Sequence, residues 1–304
     1  MREAYGEALA ELGTTNKNVV VLDADLSSST KTSLFAKRFP NRFFEVGIAE
    51  QNLLGTAAGL AAAGKIPFAS TFAVFASGRA WEQARNAIAY ADLNVKIVAT
   101  HAGLSVGPDG ATHQALEDVA LMRAIPRFRV CVPCDAAETR EMVYAFAAVR
   151  GPCYARLPRI ESPEITDGGK FVFGRWPVLH EGGDACIIAN GLMVAEALEA
   201  ARLLAKSGTR VRVLNASTVK PLDERALLRA ATTGAVVTAE EHSIIGGLGG
   251  AVCEFVSERK PCIVKRVGTR DVFGESGESR ELFEKYGLTA AAIAKAVHAA
   301  MKRA

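Results

Sequence analysis

The length, composition and charge of the chain are those of an ordinary globular protein. Its 304 residues are 49% hydrophobic and 23% charged, with a formal net charge of +3, and a chain of this length usually forms about two domains. No basic run indicates nucleic-acid binding, and no apolar run reaches the ~18–20 residues that cross a bilayer. Residues 1–9 contain two glutamates and no apolar core. We therefore expect no secretory signal, no membrane contact and a cytoplasmic protein.

The first 150 residues alternate between helical and strand-like apolar patterns. The spacing of apolar residues predicts helices at 2–12, 51–63, 75–90, 116–125 and 136–149. Short apolar runs rich in β-branched residues predict buried strands at 18–23, 66–70, 95–100 and 129–132. Strands separated by helices of this length predict a parallel sheet with helices on both faces.

A stretch rich in proline, glycine and charge at 159–183 interrupts this alternation and predicts a linker. Beyond it, the same criteria predict strands at 185–189, 210–215 and 234–238 and helices at 194–206, 224–231 and 289–302. We therefore predict an α/β protein of two domains, at 1–165 and, smaller, at 184–304.

The six cysteines are scattered along the chain, which argues against a disulfide framework. Cys131 and Cys134 have the C-x-x-C spacing, but the first of them ends a strand-like run and no second pair of ligands lies nearby in the sequence. We predict two small thiols at a strand end, and no metal site on this chain.

The segment 100–114, THAGLSVGPDGATHQ, is the strongest local candidate for a functional site. It follows a predicted buried strand and contains His101, Asp109 and His113. In parallel α/β sheets, ligands bind at the carboxyl ends of the strands. One alternative is a long ordered surface loop. A metal site is disfavoured because the histidines are twelve residues apart and no third ligand is evident.

Three other segments allow both a structural and a functional interpretation. Glu50 begins a predicted helix, where a carboxylate either caps the helix or takes part in a reaction. Phe72 and Phe75 are either core residues or rings that stack on a flat heterocycle. The glycine run at 246–250 does not meet the G-x-G-x-x-G spacing of a dinucleotide-binding loop, so we expect a tight strand-to-helix turn there.

Four segments, in their order and spacing, resemble active-site segments of the transketolase family. Asp-Gly-x-Thr-His-Gln at 109–114 is similar to the family's active-site loop, and Ile-Ala-Glu-Gln at 48–51 is similar to the segment whose glutamate activates thiamine. Thr-Phe-x-x-Phe at 71–75 resembles the thiamine-stacking segment, and Ala-Asp-Leu at 24–26, followed by Ser29, resembles another edge of the site. The resemblance covers nearly the whole chain. It implies a pyrimidine-binding thiamine-diphosphate fold followed by a transketolase C-terminal domain.

The resemblance also implies roles for individual residues. Glu50 would hydrogen-bond the aminopyrimidine ring of thiamine diphosphate and favour its imino tautomer. His113 would be the second catalytic residue, hydrogen-bonded to oxygens of the donor sugar. Phe75 would stack on the pyrimidine with Phe72 beside it, and Asp25 would line the cofactor.

For the substrate, the resemblance implies a sugar phosphate. Asp109 would bind an aldose hydroxyl next to the carbonyl group. The phosphate would be held by Arg2, Ser29, His101 and Arg156.

One large part of the family pattern is missing from the sequence. Transketolases carry an N-terminal domain whose Gly-Asp-Gly…Asn segment binds magnesium and the diphosphate, and this chain has no such segment. The resemblance therefore implies the C-terminal subunit of a split transketolase, with the cofactor shared across a subunit interface and Mg²⁺ or Ca²⁺ held by an N-terminal partner subunit. Met1 stands where the second domain of an intact enzyme would begin, so we expect a natural gene split. The expected assembly is an α2β2 heterotetramer, or a homodimer when the chain is alone.

Three alternatives stay open at this point. The β chain of a 2-oxo acid dehydrogenase has a homologous two-domain arrangement, but its histidines lie in a different motif. Deoxyxylulose-phosphate synthase is similar at Glu50 but lacks the Asp-Gly-x-Thr-His-Gln pattern. A non-catalytic homologue is disfavoured by the retention of Glu50, His113 and the arginines.

Overall fold

The computed structural model describes residues 1–303 and contains two sheets made mainly of parallel strands. The strands of residues 1–303, in chain order, are β1 Val19–Asp23, β2 Phe43–Glu45, β3 Ile66–Phe72, β4 Lys96–Thr100, β5 Arg129–Cys131, β6 Cys153–Arg156, β7 Val178–His180, β8 Ala185–Ala189, β9 Val211–Asn215, β10 Thr218–Lys220, β11 Ala235–Ser243 and β12 Ile263–Thr269. The α-helices are α1 Arg2–Thr15, α2 Ser27–Thr30, α3 Ser33–Arg38, α4 Glu50–Ala62, α5 Trp81–Gln83, α6 Asp118–Ala124, α7 Ala136–Ala148, α8 Met193–Lys206, α9 Glu224–Ala231, α10 Leu248–Arg259, α11 Ser279–Tyr286 and α12 Ala290–Met301.

The larger sheet has seven strands in the order β10-β5-β6-β4-β3-β1-β2. All neighbouring pairs are parallel except β10 and β5. Strand β10 follows the linker in sequence, so the second unit of the chain contributes the edge strand of the first unit's sheet. The two units are therefore joined by main-chain hydrogen bonds as well as by side-chain packing.

The smaller sheet has five strands in the order β12-β11-β8-β9-β7, with only β7 antiparallel to its neighbour. Helices α8 and α12 pack on one face of it, and α9 and α10 pack on the other. The prediction of an α/β fold with parallel sheets between helical layers is confirmed.

The core of the larger sheet follows from the pattern of its central strands. Every residue of β1 is buried, and alternate side chains point to opposite faces. Val20 and Leu22 pack with α4 on one face, whereas Val19 and Val21 pack with α1 on the other. A strand covered on both faces needs a continuous apolar run, and VVVLD is such a run.

The segment 75–90 differs from the single regular helix that the sequence predicts. It consists of two π-helical stretches, Phe75–Arg79 and Ala84–Tyr90, on either side of α5. Within the first stretch, the Ser77 hydroxyl donates a hydrogen bond to the Ala73 carbonyl at 2.7 Å, and such bonds compete with the helical ladder for carbonyl oxygens. Wide turns of this kind are frequent at functional sites.

The cysteines behave as the sequence predicts at the C-x-x-C pair. Cys131 and Cys134 are fully buried and unpaired, and burial raises the pKa of both thiols above the ordinary value. Among residues 1–303, no helix combines the length and the apolarity needed to cross a membrane.

Candidate active site

Most of the predicted site residues lie at one edge of the larger sheet, on segments that follow three neighbouring strands. Strands β4, β3 and β1 lie side by side, and the segments 101–114, 73–79 and 24–32 leave their carboxyl ends. Because parallel strands end at the same edge, the side chains on these segments converge there.

Two histidines and two phenylalanines form one contiguous cluster at this edge. The Phe72 and His101 rings stack with centroids 3.8 Å apart and an interplanar angle of 24°. The His113 ring meets Phe75 edge-on at 5.5 Å, and the two phenylalanine rings are 6.1 Å apart. The loop motif and the Thr-Phe-x-x-Phe motif, about 30 residues apart in sequence, are therefore parts of one surface.

His101 sits in an environment that keeps its imidazole neutral. It has a left-handed backbone (φ 55°), and only 4% of its surface is exposed. Burial, followed by the nearby charges of Arg2 and Arg159, lowers the pKa of His101 to about 3. Its Nδ1 lies 2.9 Å from the Thr100 hydroxyl, so Nε2 is the ring nitrogen that a ligand would meet.

Glu50 is the first residue of α4, and its carboxylate is only 1% exposed. A helix N-terminus favours a negative charge, and Arg79 adds a second favourable interaction, with Nη1 at 2.8 Å from Oε2. The Arg79 guanidinium also lies over the Phe75 ring, 4.6 Å from its centroid. Arg79 thus links the carboxylate to the aromatic cluster. Sequence reasoning did not identify this arginine.

Arg2 and Arg159 form a cationic group beside the histidine loop. Arg2 donates to the Ser29 carbonyl at 2.7 Å and to the Arg159 carbonyl at 2.8 Å. Arg159 donates to the Val106 carbonyl at 2.6 Å and lies 3.5 Å from an Asp109 carboxylate oxygen. Arg2 thus joins the main chain of Ser29 to that of Arg159, and Arg159 reaches Asp109. Both guanidinium groups lie near enough to His101 to lower its pKa.

Arg156 lies elsewhere, and the expected role as a phosphate ligand does not fit its geometry. Its side chain is 4% exposed, and it donates to the carbonyls of Glu241 at 2.8 Å and Ala115 at 3.2 Å. The Nε atom is 3.0 Å from Asp118 Oδ2. The guanidinium donors are thus taken by partners inside the protein. Strand β6 is buried along its whole length and directs this side chain into the boundary between the two units. Arg159, three residues later and beyond the end of β6, lies instead beside the histidine loop.

Asp25 lies at the exposed rim of the site. It has a left-handed backbone (φ 61°), and its N–H donates to Glu45 Oε1 at 2.6 Å. The preceding turn is organised by Asp23, which is buried and accepts hydrogen bonds from the Leu26 N–H and the Thr30 hydroxyl, both at 2.7 Å. Burial raises the pKa of Asp23 to about 6.

The glycine run at 246–250 binds an anion from its own chain. The Leu248 and Gly249 N–H groups, at the start of α10, donate to the Glu240 carboxylate at 2.7 and 2.8 Å. The helix N-terminus where a dinucleotide phosphate would bind is therefore occupied by a side chain. A tight strand-to-helix turn, the expected structure, fits this arrangement.

Comparison with known proteins gives the family. Residues 1–164 match the transketolase pyrimidine binding domain, and residues 174–293 match the transketolase C-terminal domain. The chain belongs to the transketolase family. It is 50% identical over 309 residues to a protein of Methanocaldococcus jannaschii named provisionally as a transketolase C-terminal section, covering 100% of this chain and 96% of that one.

Two further relatives narrow the resemblance to split transketolases. A 6-deoxy-6-sulfo-D-fructose transketolase subunit from Clostridium sp. is 46% identical, covering 100% of this chain and 95% of the relative. A solved split-gene transketolase, described as an inactive β4 tetramer, superposes with a TM-score of 0.93 at 57% identity, covering 99% of this chain and 98% of the other. The identification with the C-terminal section of a split transketolase is confirmed, which implies an N-terminal partner subunit and an oligomeric assembly.

The transketolase family depends on thiamine diphosphate, and the residues at this edge fit one part of that cofactor. A buried carboxylate beside an aromatic cluster suits a flat heterocycle with a basic nitrogen. Among residues 1–303, no three or more His, Cys, Asp or Glu side chains are grouped to hold a metal ion. The described residues therefore offer contacts for the pyrimidine ring but no ligand set for a divalent cation.

Proposed function

We propose that the chain is the C-terminal subunit of a thiamine-diphosphate-dependent transketolase that moves a two-carbon ketol unit from a ketose phosphate to an aldose phosphate, and that it is active only with an N-terminal partner subunit. The observation that carries this proposal is the convergence of Glu50, Phe75, His101 and His113 at the carboxyl edge of one sheet. A carboxylate, stacking rings and imidazoles are the side chains that this reaction requires.

In this proposal, Glu50 holds a proton at the pyrimidine ring. Thiamine diphosphate, when bound, supplies the nucleophile and the electron sink for two-carbon transfer. The carboxylate is buried, so its hydrogen bond to a ring nitrogen would form in a region of low dielectric, where such bonds are strong. The Arg79 guanidinium, which pairs with Glu50, also lies over the Phe75 ring. In this proposal the Phe75 ring stacks on the pyrimidine.

The two histidines have the properties of ligands for sugar oxygens. Each has its Nδ1 within 2.9 Å of a neighbouring threonine hydroxyl, Thr100 for His101 and Thr112 for His113. This fixes the ring orientation and leaves Nε2 to face a ligand. Because His101 stays neutral, it adds no charge and can accept or donate a hydrogen bond according to its tautomer.

The anionic end of the sugar would be held by Arg2 and Arg159, with Ser29 and His101 beside them. The two guanidinium groups lie close enough that each affects the pKa of its neighbours, and fixed guanidinium groups bind planar oxyanion faces well. Arg159 replaces Arg156 in this proposal. Asp109, 3.5 Å from Arg159, would bind a sugar hydroxyl next to the carbonyl group.

The assembly that we propose places the missing cofactor contacts on the partner. The N-terminal subunit would hold the diphosphate with Mg²⁺ or Ca²⁺, in an α2β2 complex. Ile48, two residues before Glu50, is 76% exposed, and α4 presents Gly55 and Gly59 to solvent with nothing within 4 Å. An exposed apolar side chain and a flat helix face next to the site suit close packing of another subunit. We propose units of 1–165 and 184–304, with β10 reaching back into the first sheet.

The nature of the anionic group is a second question that this site raises. The Clostridium relative is named for a sulfo sugar, and a sulfonate and a phosphate both suit a pair of arginines. The experiment mixes the chain with its candidate N-terminal partner, thiamine diphosphate and Mg²⁺. Two-carbon transfer to ribose 5-phosphate is then measured from xylulose 5-phosphate and from 6-deoxy-6-sulfofructose.

The proposal expects transfer from the phosphorylated donor by the mixture. Transfer from the sulfonated donor alone would keep the reaction and replace the substrate. A mixture that is saturated with cofactor and transfers from neither donor would contradict the proposed reaction. The matched control is the same mixture with Glu50→Ala in place of the wild-type chain.

A further inference from the structure

The histidine loop at 101–114 is held in part by the C-terminal unit. Its Ser105 N–H donates to Glu241 Oε1 at 2.5 Å, and its Ser105 carbonyl accepts from the Ser279 hydroxyl at 3.1 Å. At the end of the loop, the Gln114 amide donates to the Glu275 carbonyl at 2.9 Å. Contacts from β11, from α11 and from the segment between β12 and α11 therefore meet on one short loop of the other unit.

Glu241 is the most deeply inserted of these groups. Its side chain is on β11, 5% exposed, and its carboxyl carbon lies where a side chain at Gly103 would begin, 2.4 Å from the position of a Cβ. Gly103 also has φ +79°, which glycine adopts without strain. The main chain of the loop can approach the carboxylate only because this residue has no side chain.

The environment of the carboxylate fits a hydrogen-bonding role better than a surface charge. Burial raises the pKa of Glu241 to about 7, while Arg156 and the Ser105 N–H oppose that rise. Arg156 also donates to the Glu241 carbonyl at 2.8 Å. Arg156 therefore holds the main chain of Glu241, and the Glu241 carboxylate in turn holds the Ser105 N–H.

We propose that Glu241 is a positioning residue of the C-terminal unit, whose carboxylate holds the turn at Ser105 and thereby sets His101, Asp109 and His113 against the substrate. Ser105 lies four residues after His101 and four before Asp109, in a 3₁₀ segment, Leu104–Asp109, that is kinked at Gly107. A shift at Ser105 reaches both ends of the loop through contacts. The Ser105 hydroxyl donates to the Ala102 carbonyl at 3.2 Å, next to His101, and Arg159 joins the Val106 carbonyl to Asp109. This gives the C-terminal unit a function in the reaction, and its kinetic test depends on the proposed transketolase function.

The neighbouring residue Glu240 provides a matched control. It is also buried and also accepts main-chain N–H bonds, but its partners Leu248 and Gly249 belong to α10 of its own unit. A Glu240→Gln change removes a buried charge one residue away without touching the histidine loop.

Two conservative variants separate positioning from charge pairing. Glu241→Gln keeps the length of the side chain and an oxygen that accepts from Ser105, but it loses the charge beside Arg156. Glu241→Asp keeps the charge but is one methylene shorter, so its oxygens do not reach the Ser105 N–H. If Glu241 acts by positioning, the Glu241→Gln variant should be more active than Glu241→Asp. If it acts by charge pairing alone, Glu241→Asp should be the more active of the two.

The kinetic experiment uses the complex with the N-terminal subunit. Misplacement of reacting groups by about 1 Å costs up to ~100-fold in rate. We therefore expect Glu241→Asp to lower kcat by roughly 10- to 100-fold with less than a threefold change in KM. We expect Glu241→Gln and Glu240→Gln to stay within about fivefold of wild type. A Glu241→Asp variant as active as wild type, or less impaired than Glu241→Gln, would overturn the proposal.

A second readout does not depend on activity and so remains informative if the reaction proposed above is wrong. Hydrogen–deuterium exchange of the peptide covering 103–110 is measured in the full chain. Exchange should be faster in Glu241→Asp and unchanged in Glu240→Gln, with Glu241→Gln close to wild type. If Glu241→Asp does not fold, Ser279→Ala removes another contact on the same turn and should also raise exchange there. Unchanged exchange at 103–110 in these variants would overturn the positioning role whatever the reaction is.

Discussion

Glu50 and Arg79 form an ion pair of 2.8 Å in which the carboxylate is buried and the guanidinium is half exposed. The two residues are 29 positions apart, and they meet because α4 and the π-helical stretch after β3 lie at the same edge of the sheet. Arg79, whose side chain is half exposed, therefore lies between the buried Glu50 carboxylate and solvent.

The first prediction concerns this carboxylate. Glu50→Gln should lower kcat of the reconstituted enzyme by at least ~100-fold, because proton transfer by a positioned side chain contributes about 10²- to 10⁴-fold. Assembly, measured by size-exclusion chromatography with light scattering, should be unchanged. The control is Glu199→Gln, an exposed carboxylate on α8, which should have no effect. Activity within a few-fold of wild type for Glu50→Gln would refute the assignment.

The second prediction concerns the anionic end of the substrate. Arg159→Ala should raise KM for a phosphorylated donor by roughly tenfold or more, since a charge-assisted bond contributes about 1.5–3 kcal/mol. KM for a ketose without a phosphate, such as erythrulose, should change little. Steady-state kinetics with both donors checks the expectation, and equal losses for the two would show that Arg159 acts on something other than the phosphate.

The third prediction distinguishes Arg156 from Arg159. Arg156→Ala leaves the Asp118 carboxylate buried without its cation, which costs about 3–5 kcal/mol. The free energy of unfolding, measured with urea, should fall by about that amount, whereas Arg159→Ala should lower it much less. An Arg156→Ala protein as stable as wild type, but with an impaired KM for phosphorylated donors, would restore the phosphate role to Arg156.

The fourth prediction concerns pH. The folded-state pKa of His101 is lowered to about 3 from 6.5, mainly by burial. The unfolded chain therefore binds the proton more readily, so the stability that this residue contributes is complete above pH 6.5 and is lost as pH falls toward 3. In NMR spectra of ¹⁵N-labelled histidine, the His101 ring should remain neutral at pH 5. A midpoint near 6 would contradict this environment.

Most interior strands and long helices could be predicted from the sequence, because their patterns are local, but β6 and β12 were not among the predicted strands. Strands β1, β4 and β8 are continuous apolar runs and were predicted to within one residue. Strands β2, β7 and β10 have three residues each. They form because they pair with a neighbouring strand, and their own composition does not indicate a strand. The pairing of β10 with the first sheet is a tertiary contact that no local pattern indicates.

Site residues that lie on sequence motifs could be predicted, whereas residues that long-range packing brings to the site could not. His101, Phe72, Phe75 and His113 lie on motif segments and do converge. Arg79 was missed because a regular helix was expected at 75–90, and its partner lies 29 residues away.

The sequence motif led to Arg156 as the phosphate ligand and not to Arg159, which we propose instead, although a usable signal for Arg159 was present. Arg156 is the last residue of the buried strand β6, whereas Arg159 follows its carboxyl end, which is where ligands of a parallel sheet are bound.

The central claim is that this chain carries half of a cofactor site. It is tested most directly by isothermal titration of thiamine diphosphate, with Mg²⁺, into the chain alone, the N-terminal partner alone and their mixture. We predict tight binding only in the mixture, with Glu50→Gln in the mixture weakening it. Binding to the chain alone as tight as to the mixture would contradict the claim.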